Sequence, residues 1–318
     1  MNNPSKGTFL GHPKGLFLLF STELWERFSY YGMRAVLVLY LTDLTANGGL
    51  GWSQADALKL YGIYTGLVYI TPLIGGWLAD TFLGQRRAIL IGAVLMAAGQ
   101  FTLALPHAMF PDMVNTMFYA GLALLILGNG LFKPNISTMV GDLYQEGDHR
   151  RDGAFTIFYM GINLGSLLAG VICGAAATAY GWQAAFVSAG IGMLLSLVVQ
   201  ATMAQRFLGD IGRVPAAQRA AMQRSKEQKA PLTKQEVDRI KVILVLGLFT
   251  IIFWAGFEQA GGLMNLYAQE YTDRMIGSFE VPTAWFQSLN PFFIITLAPI
   301  VAAIWIKLGS KEPNSPVK

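Results

Sequence analysis

Six charged side chains lie inside long apolar stretches of this 318-residue chain. They are three acids and three bases: Glu23, Glu26, Glu258, Arg27, Arg34 and Lys133. A lone charge at the centre of a bilayer costs at least about 2.5–3.5 kcal/mol, so equal numbers of opposite charges predict one shared polar interior. The simpler explanation is that the charges only pin helices together. Buried ion pairs stabilise poorly, however, and buried ionisable clusters usually mark the path of an ion or a substrate.

Helical spacing places part of this set on one face of the first apolar stretch. Residues that recur at three- and four-residue steps share one stripe of a helix. The stripe consists of Glu23, Arg27, Tyr30, Tyr31 and Arg34. Glu26 lies beside it. One wall of a cavity would then present carboxylates, a guanidinium, two phenols and a second guanidinium, which suits a ligand with opposite charges at its two ends.

The elements that must position these groups are membrane-spanning helices. Hydrophobic residues make up 53% of the chain and charged residues 13%, against roughly 45–50% and about 25% in globular proteins. Apolar runs of the roughly 17–25 residues that a spanning helix needs recur along almost the whole length. We predict eight spans, near residues 15–41, 57–79, 87–105, 114–140, 155–179, 183–203, 242–268 and 285–306. A polar linker at about 205–241 separates a first region, 1–204, from a last region, 242–318. The single cysteine, Cys173, excludes an internal disulfide.

Lysine and arginine residues divide unequally between the two sides of this predicted topology. Eighteen of the twenty in loops and tails lie on the side of both termini and the linker, and only Lys59 and Arg274 lie opposite. The positive-inside rule therefore predicts cytoplasmic termini and a cytoplasmic linker. The same excess explains an isoelectric point near 9.1. Because no aromatic-basic patch accompanies it, we exclude nucleic acid as a partner.

Six ordered segments, spread over nearly the whole chain, match signatures of one transporter family. They are ELWERFSYY at 23–31, GGWLADTFLGQRR at 75–87, GNGLFKPN at 128–135, FYMGINLGSL at 158–167, FWAGFEQ at 253–259 and SLNP at 288–291. The first resembles the ExxERFxYY motif of the proton-coupled oligopeptide transporters, the POT or PTR family of the major facilitator superfamily. The resemblance implies an all-α membrane protein with the major facilitator fold.

The resemblance also implies where a di- or tripeptide binds, between two helical bundles. Arg34 and Lys133 match positions that receive the peptide carboxylate, and Glu258 matches the acid that receives the amine. Positions that contact the peptide backbone or terminus are matched by Tyr30, Tyr69, Asn163 and Asn290, and a side-chain pocket position by Trp254. For two of these the alternatives stay open: Asn163 as a hydrogen bond between helices, and Trp254 as lipid-facing packing.

Proton coupling and gating are implied by the same family motifs. Glu23 and Glu26 flank Arg27, so either a proton or the guanidinium neutralises them. Glu258 is expected to pair with Arg34 across the two bundles, and release of that pair would let the bundles rock. A latch of helix ends at the cytoplasmic face is expected from Asp80, Arg86 and Arg87. The alternative for this motif is a turn that only sets topology.

The number of spans departs from the family pattern. Family members normally carry at least twelve, so we expect a carboxyl-terminally truncated chain with a complete six-helix amino-terminal bundle and the first two helices of the second bundle. An acid on the tenth helix, the expected partner of Lys133, would then be missing. The linker also lacks room for two extra helices that many bacterial members insert.

The function implied by the resemblance is proton-coupled symport. A transporter of this kind imports di- and tripeptides by alternating access across the cytoplasmic, or inner, membrane, as a multi-pass protein without a metal or cofactor. A passive channel or a non-transporting peptide receptor is the alternative. An enzyme is not expected, because no HExxH motif occurs, Ser166 lacks a nearby buried base, and the three histidines lie in tails or loops: His12, His107 and His149.

Overall fold

The computed structural model describes residues 7–105, 111–145, 147–218 and 233–308, apart from the side chains of residues 305 and 306. Its longer helices are α1 (Lys14–Thr42), α2 (Gln54–Leu78), α3 (Gln85–Leu103), α4 (Val114–Asp142), α5 (Arg150–Tyr180), α6 (Trp182–Leu208), α7 (Lys234–Phe257), α8 (Leu263–Tyr271) and α9 (Leu289–Leu308). Two antiparallel pairs of short strands are also present: β1 (Thr8–Phe9) with β2 (His12–Pro13), and β3 (Met275–Ile276) with β4 (Phe279–Glu280). Short 3₁₀ or π turns cover Thr45–Asn47, Ala79–Leu83, Pro111–Met113, Glu258–Gly261 and Thr283–Ser288. Part of the predicted linker, the carboxyl tail and His107 fall outside the described residues.

Within the described residues, seven helical segments are long and apolar enough to cross a membrane. They are Gln54–Leu83, Gln85–Leu103, Pro111–Asp142, Arg150–Tyr180, Trp182–Leu208, Lys234–Gly261 and Thr283–Ile304. α1 is also long enough, at 29 residues, but it carries the charged stripe. The prediction of an all-α membrane protein is confirmed, while the exact number of eight spans stays a prediction.

The first six helices pack into one bundle around α1. Of the 29 residues of α1, 22 are buried, and it packs mainly against α5 and α6 while α3 packs against α4. Two of these contacts need glycine. A Cβ atom at Gly165 of α5 would overlap the backbone oxygen of Leu24, and one at Gly128 of α4 would lie 2.6 Å from the backbone oxygen of Gly92. Small residues at such crossings let helix backbones approach closely.

The predicted seventh span is interrupted. Instead of one helix over 242–268, α7 ends at Phe257, a 3₁₀ turn covers Glu258–Gly261, and α8 follows. The break falls at a glycine pair, where Gly262 adopts φ −106° and ψ −101°. α7 also begins eight residues before the predicted span, because Thr233 and Glu236 form a capping box that starts the helix.

α7, α8 and α9 touch the six-helix bundle near one end only. Asn265 Nδ2 of α8 donates to the Ala35 carbonyl of α1 at 2.8 Å. Ser288 Oγ, in the 3₁₀ turn just before α9, donates to the Leu167 carbonyl of α5 at 2.8 Å. These contacts lie in the carboxyl-terminal halves of α1 and α5. The amino-terminal end of α1 packs at Gly15 against the end of α6. By contrast, α7 has no buried residue between Lys234 and Phe257, all of which the structure describes. A cleft therefore separates the two groups of helices.

Candidate functional site

A cavity of about 390 Å³ lies in this cleft, between the six-helix bundle and α7–α9. Most of the site residues that the sequence predicts line it: Glu23, Arg27, Arg34, Tyr69, Lys133, Asn163, Trp254, Glu258 and Asn290. Two predicted residues, Tyr30 and Glu26, are not part of this lining. They are 4% and 0% exposed, so they lie behind the cavity wall.

The acidic end of the cavity is a three-residue cluster on α1. Arg27 Nε lies 3.1 Å from Glu23 Oε1, and Arg27 Nη2 donates to Glu26 Oε1 at 2.7 Å. The same Nε also donates to the second oxygen of Glu26. All three side chains are at most 2% exposed. One guanidinium thus serves two carboxylates, so the trio carries one negative charge too many, and a proton on either acid would neutralise it.

A second ion pair joins the two groups of helices. Arg34 Nη2 of α1 lies 2.5 Å from Glu258 Oε2 in the turn after α7. Tyr69 Oη of α2 donates to the other carboxylate oxygen of Glu258 at 3.0 Å. The ion pair expected between Arg34 and Glu258 is therefore present, and a phenol supports it.

Tyr61 also takes part in this junction, and the sequence analysis missed it. Its Oη accepts from Arg34 Nε at 2.8 Å and donates to the backbone carbonyl of Glu258 at 3.1 Å. The interrupted helix leaves this carbonyl free to accept. A signal was available, because Tyr61 lies eight residues before Tyr69 and so falls within the same broad stripe of α2, about 80° around the helix.

Lys133 is the third cation of the cavity, beside the ion-paired Arg27 and Arg34. Its Nζ lies 4.9 Å from the centre of the Tyr69 ring, and among the described residues no carboxylate lies within ion-pair distance of it. The next residue, Pro134, sits inside α4 and cannot donate a backbone hydrogen bond there. The cavity therefore offers one unpaired ammonium facing a paired guanidinium and carboxylate.

The polar and aromatic lining residues differ in how they are held. Asn163 Nδ2 donates to the Tyr159 carbonyl of its own helix at 2.9 Å, and no bond to another helix is found in the part of the chain described. Trp254 is 44% exposed and packs edge-to-face on Phe257 at 5.2 Å. Asn290 stands near the start of α9. All three predicted residues border the same cavity.

The motif after α2 lies away from the cavity, against the end of α6. Arg86 Nη1 donates to the Gly209 carbonyl at 2.6 Å and to Gln205 Oε1 at 3.1 Å. Carbonyls at the end of a helix lack partners within the helix and attract cations. Asp80 and Arg87 are exposed, and within the described residues neither forms an ion pair. Arg86 thus joins the start of α3 to the end of α6 without the carboxylate that was expected to share in the latch.

The chain matches one family model and several known proteins. The family model described as "POT family" matches residues 86–213 and 210–318. The chain is 39% identical to the uncharacterized transporter YclF of Bacillus subtilis, covering 99% of this chain and 72% of that protein. It is 35% identical to a di-/tripeptide transporter of Lactococcus lactis subsp. cremoris, covering 99% and 74%.

Among solved structures, the chain is similar to the crystal structure of the peptide transporter POT in complex with sulfate. The TM-score is 0.80 at 36% identity, with 98% of this chain and 72% of that chain covered. The chain thus spans about three quarters of the length of these relatives. Family membership also confirms that the chain is not an enzyme. The chain belongs to the POT family, a family of multi-pass membrane transporters.

Proposed function

We propose that this chain takes part in proton-coupled import of di- and tripeptides. The observation that carries the proposal is the Arg34–Glu258 ion pair, which bridges two groups of helices inside the cavity and lies opposite the unpaired Lys133. Each of these charges has a counterpart on a zwitterionic peptide. The names of the relatives, a peptide transporter and a di-/tripeptide transporter, support the same substrate class.

Peptide recognition follows from the exchange of charges. The carboxylate of a peptide pairs with Lys133 and competes with Glu258 for Arg34, since a guanidinium binds a carboxylate through two parallel hydrogen bonds. The amine of the peptide then takes the vacated Glu258. Backbone amides of the peptide reach Asn163 and Asn290, with Tyr69 and the more deeply placed Tyr30 on the wall, and Trp254 borders a side chain.

Proton coupling rests on the trio of Glu23, Glu26 and Arg27. Its excess negative charge is costly in a dry interior, so an incoming proton is favoured when the outside is acidic. Loss of the negative charge weakens the hold on Arg27 and alters the field at Lys133. A change of protonation therefore changes how strongly the cavity holds a peptide.

Alternating access is supported by the one-sided contact between the helix groups. We place the amino terminus and the 205–241 linker in the cytoplasm, because the cations lie there. The contacts of α8 and α9 with the bundle then close the outer side of the cavity. α7 has no buried residue along its described length, so the cavity is open towards the cytoplasm. Breaking the Arg34–Glu258 pair frees the two groups to rock, and Arg86, with Asp80 and Arg87 nearby, sits at the inner end as a latch.

Uptake into proteoliposomes tests the proposal. The complete reading frame that contains this chain is expressed and reconstituted, an inward proton gradient is imposed, and a labelled dipeptide is added. Accumulation above the external concentration that an uncoupler abolishes is the expected result. Equilibration without accumulation would indicate the passive channel instead, and binding without uptake would indicate the receptor.

A further inference from the structure

Asn129 of α4 is a buried amide beside the acidic trio that none of the proposed roles uses. It is 1% exposed and lies one helical turn before Lys133. Its Nδ2 is 3.4 Å from Glu26 Oε1, as donor to acceptor. Its Oδ1 is buried and has no hydrogen-bond partner among the described residues. One half of the amide is thus turned to the carboxylate, and the other half is unused.

The backbone of α4 holds this amide in place. Glycines flank Asn129 on both sides, and both lie in tight crossings. A Cβ atom at Gly128 would lie 2.6 Å from the Gly92 backbone oxygen in α3, and one at Gly130 would lie 2.8 Å from Thr71 Cβ in α2. Because α4 is pressed against two neighbours at this level, the Asn129 side chain stays next to Glu26.

The need for a second hydrogen-bonding mode comes from the chemistry of Glu26. As a carboxylate it only accepts, and Arg27 and Asn129 both donate to it. As a carboxylic acid it carries an O–H that must donate, and a buried donor without an acceptor is costly. Arg27 has donors only. The unpartnered Oδ1 of Asn129 is a neutral acceptor on a side chain that already contacts Glu26, and a half-turn about the Cβ–Cγ bond presents it.

We propose that Asn129 is a positioning residue for the proton on Glu26: its amide donates to the carboxylate and, turned over, accepts from the carboxylic acid. Glu26 takes up one proton from the acidic side of the membrane and later releases one proton. Arg27 keeps its contact with Glu23 throughout. Among the described residues, the charged or titratable groups that act on Glu26 include Glu23 and Arg27 of α1, Tyr64 of α2 and Lys133 of α4. The link to transport rests on the proposed function, but the hydrogen-bond exchange does not.

Infrared difference spectroscopy of the chain in lipid tests the exchange directly. The carboxylic-acid C=O band of Glu26 is identified as the pH-dependent band that disappears in Glu26→Gln. Asn129→Leu removes both halves of the amide at similar volume. In the ionised form of Glu26, the substitution removes only a long hydrogen bond from the amide nitrogen. In the protonated form, it removes the acceptor of the carboxylic-acid O–H. We therefore expect the midpoint of the Glu26 band to move to lower pH by about one unit.

The matched control is Asn135→Leu. Asn135 is a second buried asparagine of α4, but its Nδ2 donates to the Leu131 carbonyl of its own helix at 2.7 Å, so the midpoint should stay in place. Asn129→Ala only removes atoms and is expected to move the midpoint in the same direction should Asn129→Leu not fold. Asn129→Ser keeps a hydroxyl that both donates and accepts, and should move it back towards the wild-type value.

The outcomes separate this inference from the proposed function. A Glu26 band with an unchanged or more alkaline midpoint in Asn129→Leu and Asn129→Ala would overturn the inference, as would an equal shift in Asn135→Leu or the absence of any band lost in Glu26→Gln. If the band shifts as expected but the wild type shows no proton-driven uptake, the proposed function fails and the inference stands. If uptake is proton-driven, its half-maximal pH should follow the band.

Discussion

α1 and α7 both deliver charged groups to the cavity, yet the bundle holds them in different ways. α1 is buried over 22 of its 29 residues, so Glu26 and Arg27 are fixed by the core. α7 has no buried residue within its described length, and the side chains that hold Glu258, among the residues the structure describes, come from α1 and α2. The acidic trio therefore sits within a well-buried helix, whereas Glu258 belongs to a contact that we expect to open.

The largest expected effect follows from removing the cation of the acidic trio. Arg27→Ala leaves Glu23 and Glu26 buried without a counter-charge, and breaking a buried pair in this way costs about 3–5 kcal/mol. We expect a marked fall in the midpoint temperature of unfolding in detergent. Arg34→Ala is the matched change at the movable contact and should cost less, because Glu258 keeps Tyr69 and borders the cavity. An equal fall in the midpoint temperature of the two variants would contradict the expected difference between α1 and α7.

The next effect concerns substrate rather than stability. Arg34→Ala or Lys133→Ala should lower uptake of a free dipeptide by about tenfold or more, since a hydrogen bond to a charged group contributes about 1.5–3 kcal/mol. A dipeptide amidated at its carboxyl end should lose less, because the removed cation has no partner on it. Lys59→Ala, at an exposed position, serves as the control. Similar losses for both peptides would mean that Arg34 and Lys133 act structurally.

A smaller effect is expected from a methyl group at the junction itself. At Gly261 a Cβ atom would overlap Tyr61 Oη and lie 2.8 Å from Arg34 Nε. Gly261→Ala should therefore push the movable group away from the bundle, at the roughly 1–3 kcal/mol that overpacking costs. Gly256→Ala is the control on α7, because a Cβ atom there meets nothing within 4 Å.

The displacement in Gly261→Ala is measurable as a distance. Spin labels are placed at exposed positions Lys59 of α2 and Tyr267 of α8. Pulsed electron paramagnetic resonance then reports the distance between the six-helix bundle and α7–α9. We expect a longer mean distance in Gly261→Ala and an unchanged one in Gly256→Ala. A distribution that matches the wild type in both variants would show that the contact does not open.

The smallest effect is expected at an ion pair outside the membrane. The Arg150 guanidinium, 2.7 Å from Asp148, lowers the pKa of that carboxyl to about 2. A lowered pKa means that the contribution of the pair is present above the ordinary pKa and is lost only as pH falls towards 2. Between pH 5 and 8 it is constant. Asp148→Asn should leave the pH profile of uptake unmoved and its rate within about twofold, as is common for exposed pairs; a displaced profile would contradict this.

The sequence predicted the α1 side of the cavity well, for a physical reason. A helical stripe depends only on spacing, so Glu23, Arg27 and Arg34 fall on one face wherever the helix packs. The family resemblance then supplied Glu258 as the partner of Arg34. The Asn163 bond within its own helix and the deep position of Tyr30 depend on packing distances, which spacing does not specify.

The interruption after α7 was beyond the sequence analysis. Glycines are frequent in membrane-spanning helices that continue through them, so Gly261 and Gly262 did not by themselves predict a break. The break depends on Tyr61, which presses against both glycines and bonds to the freed carbonyl of Glu258. Arg86 is a similar case, since one of its partners is the backbone carbonyl of Gly209, just after α6, which carries no sequence signal.

The uneven burial of the two helix groups also bears on how the protein is made. Residues 14–208 bury their own core, and the later helices add contacts only around one end. Ribosomes extend a chain at about 5–20 residues per second, and amino-terminal units fold first. The six-helix bundle can therefore assemble in the bilayer before α7 has been synthesised. Biogenesis would then add α7–α9 last, onto a bundle in which the acidic trio is already in place.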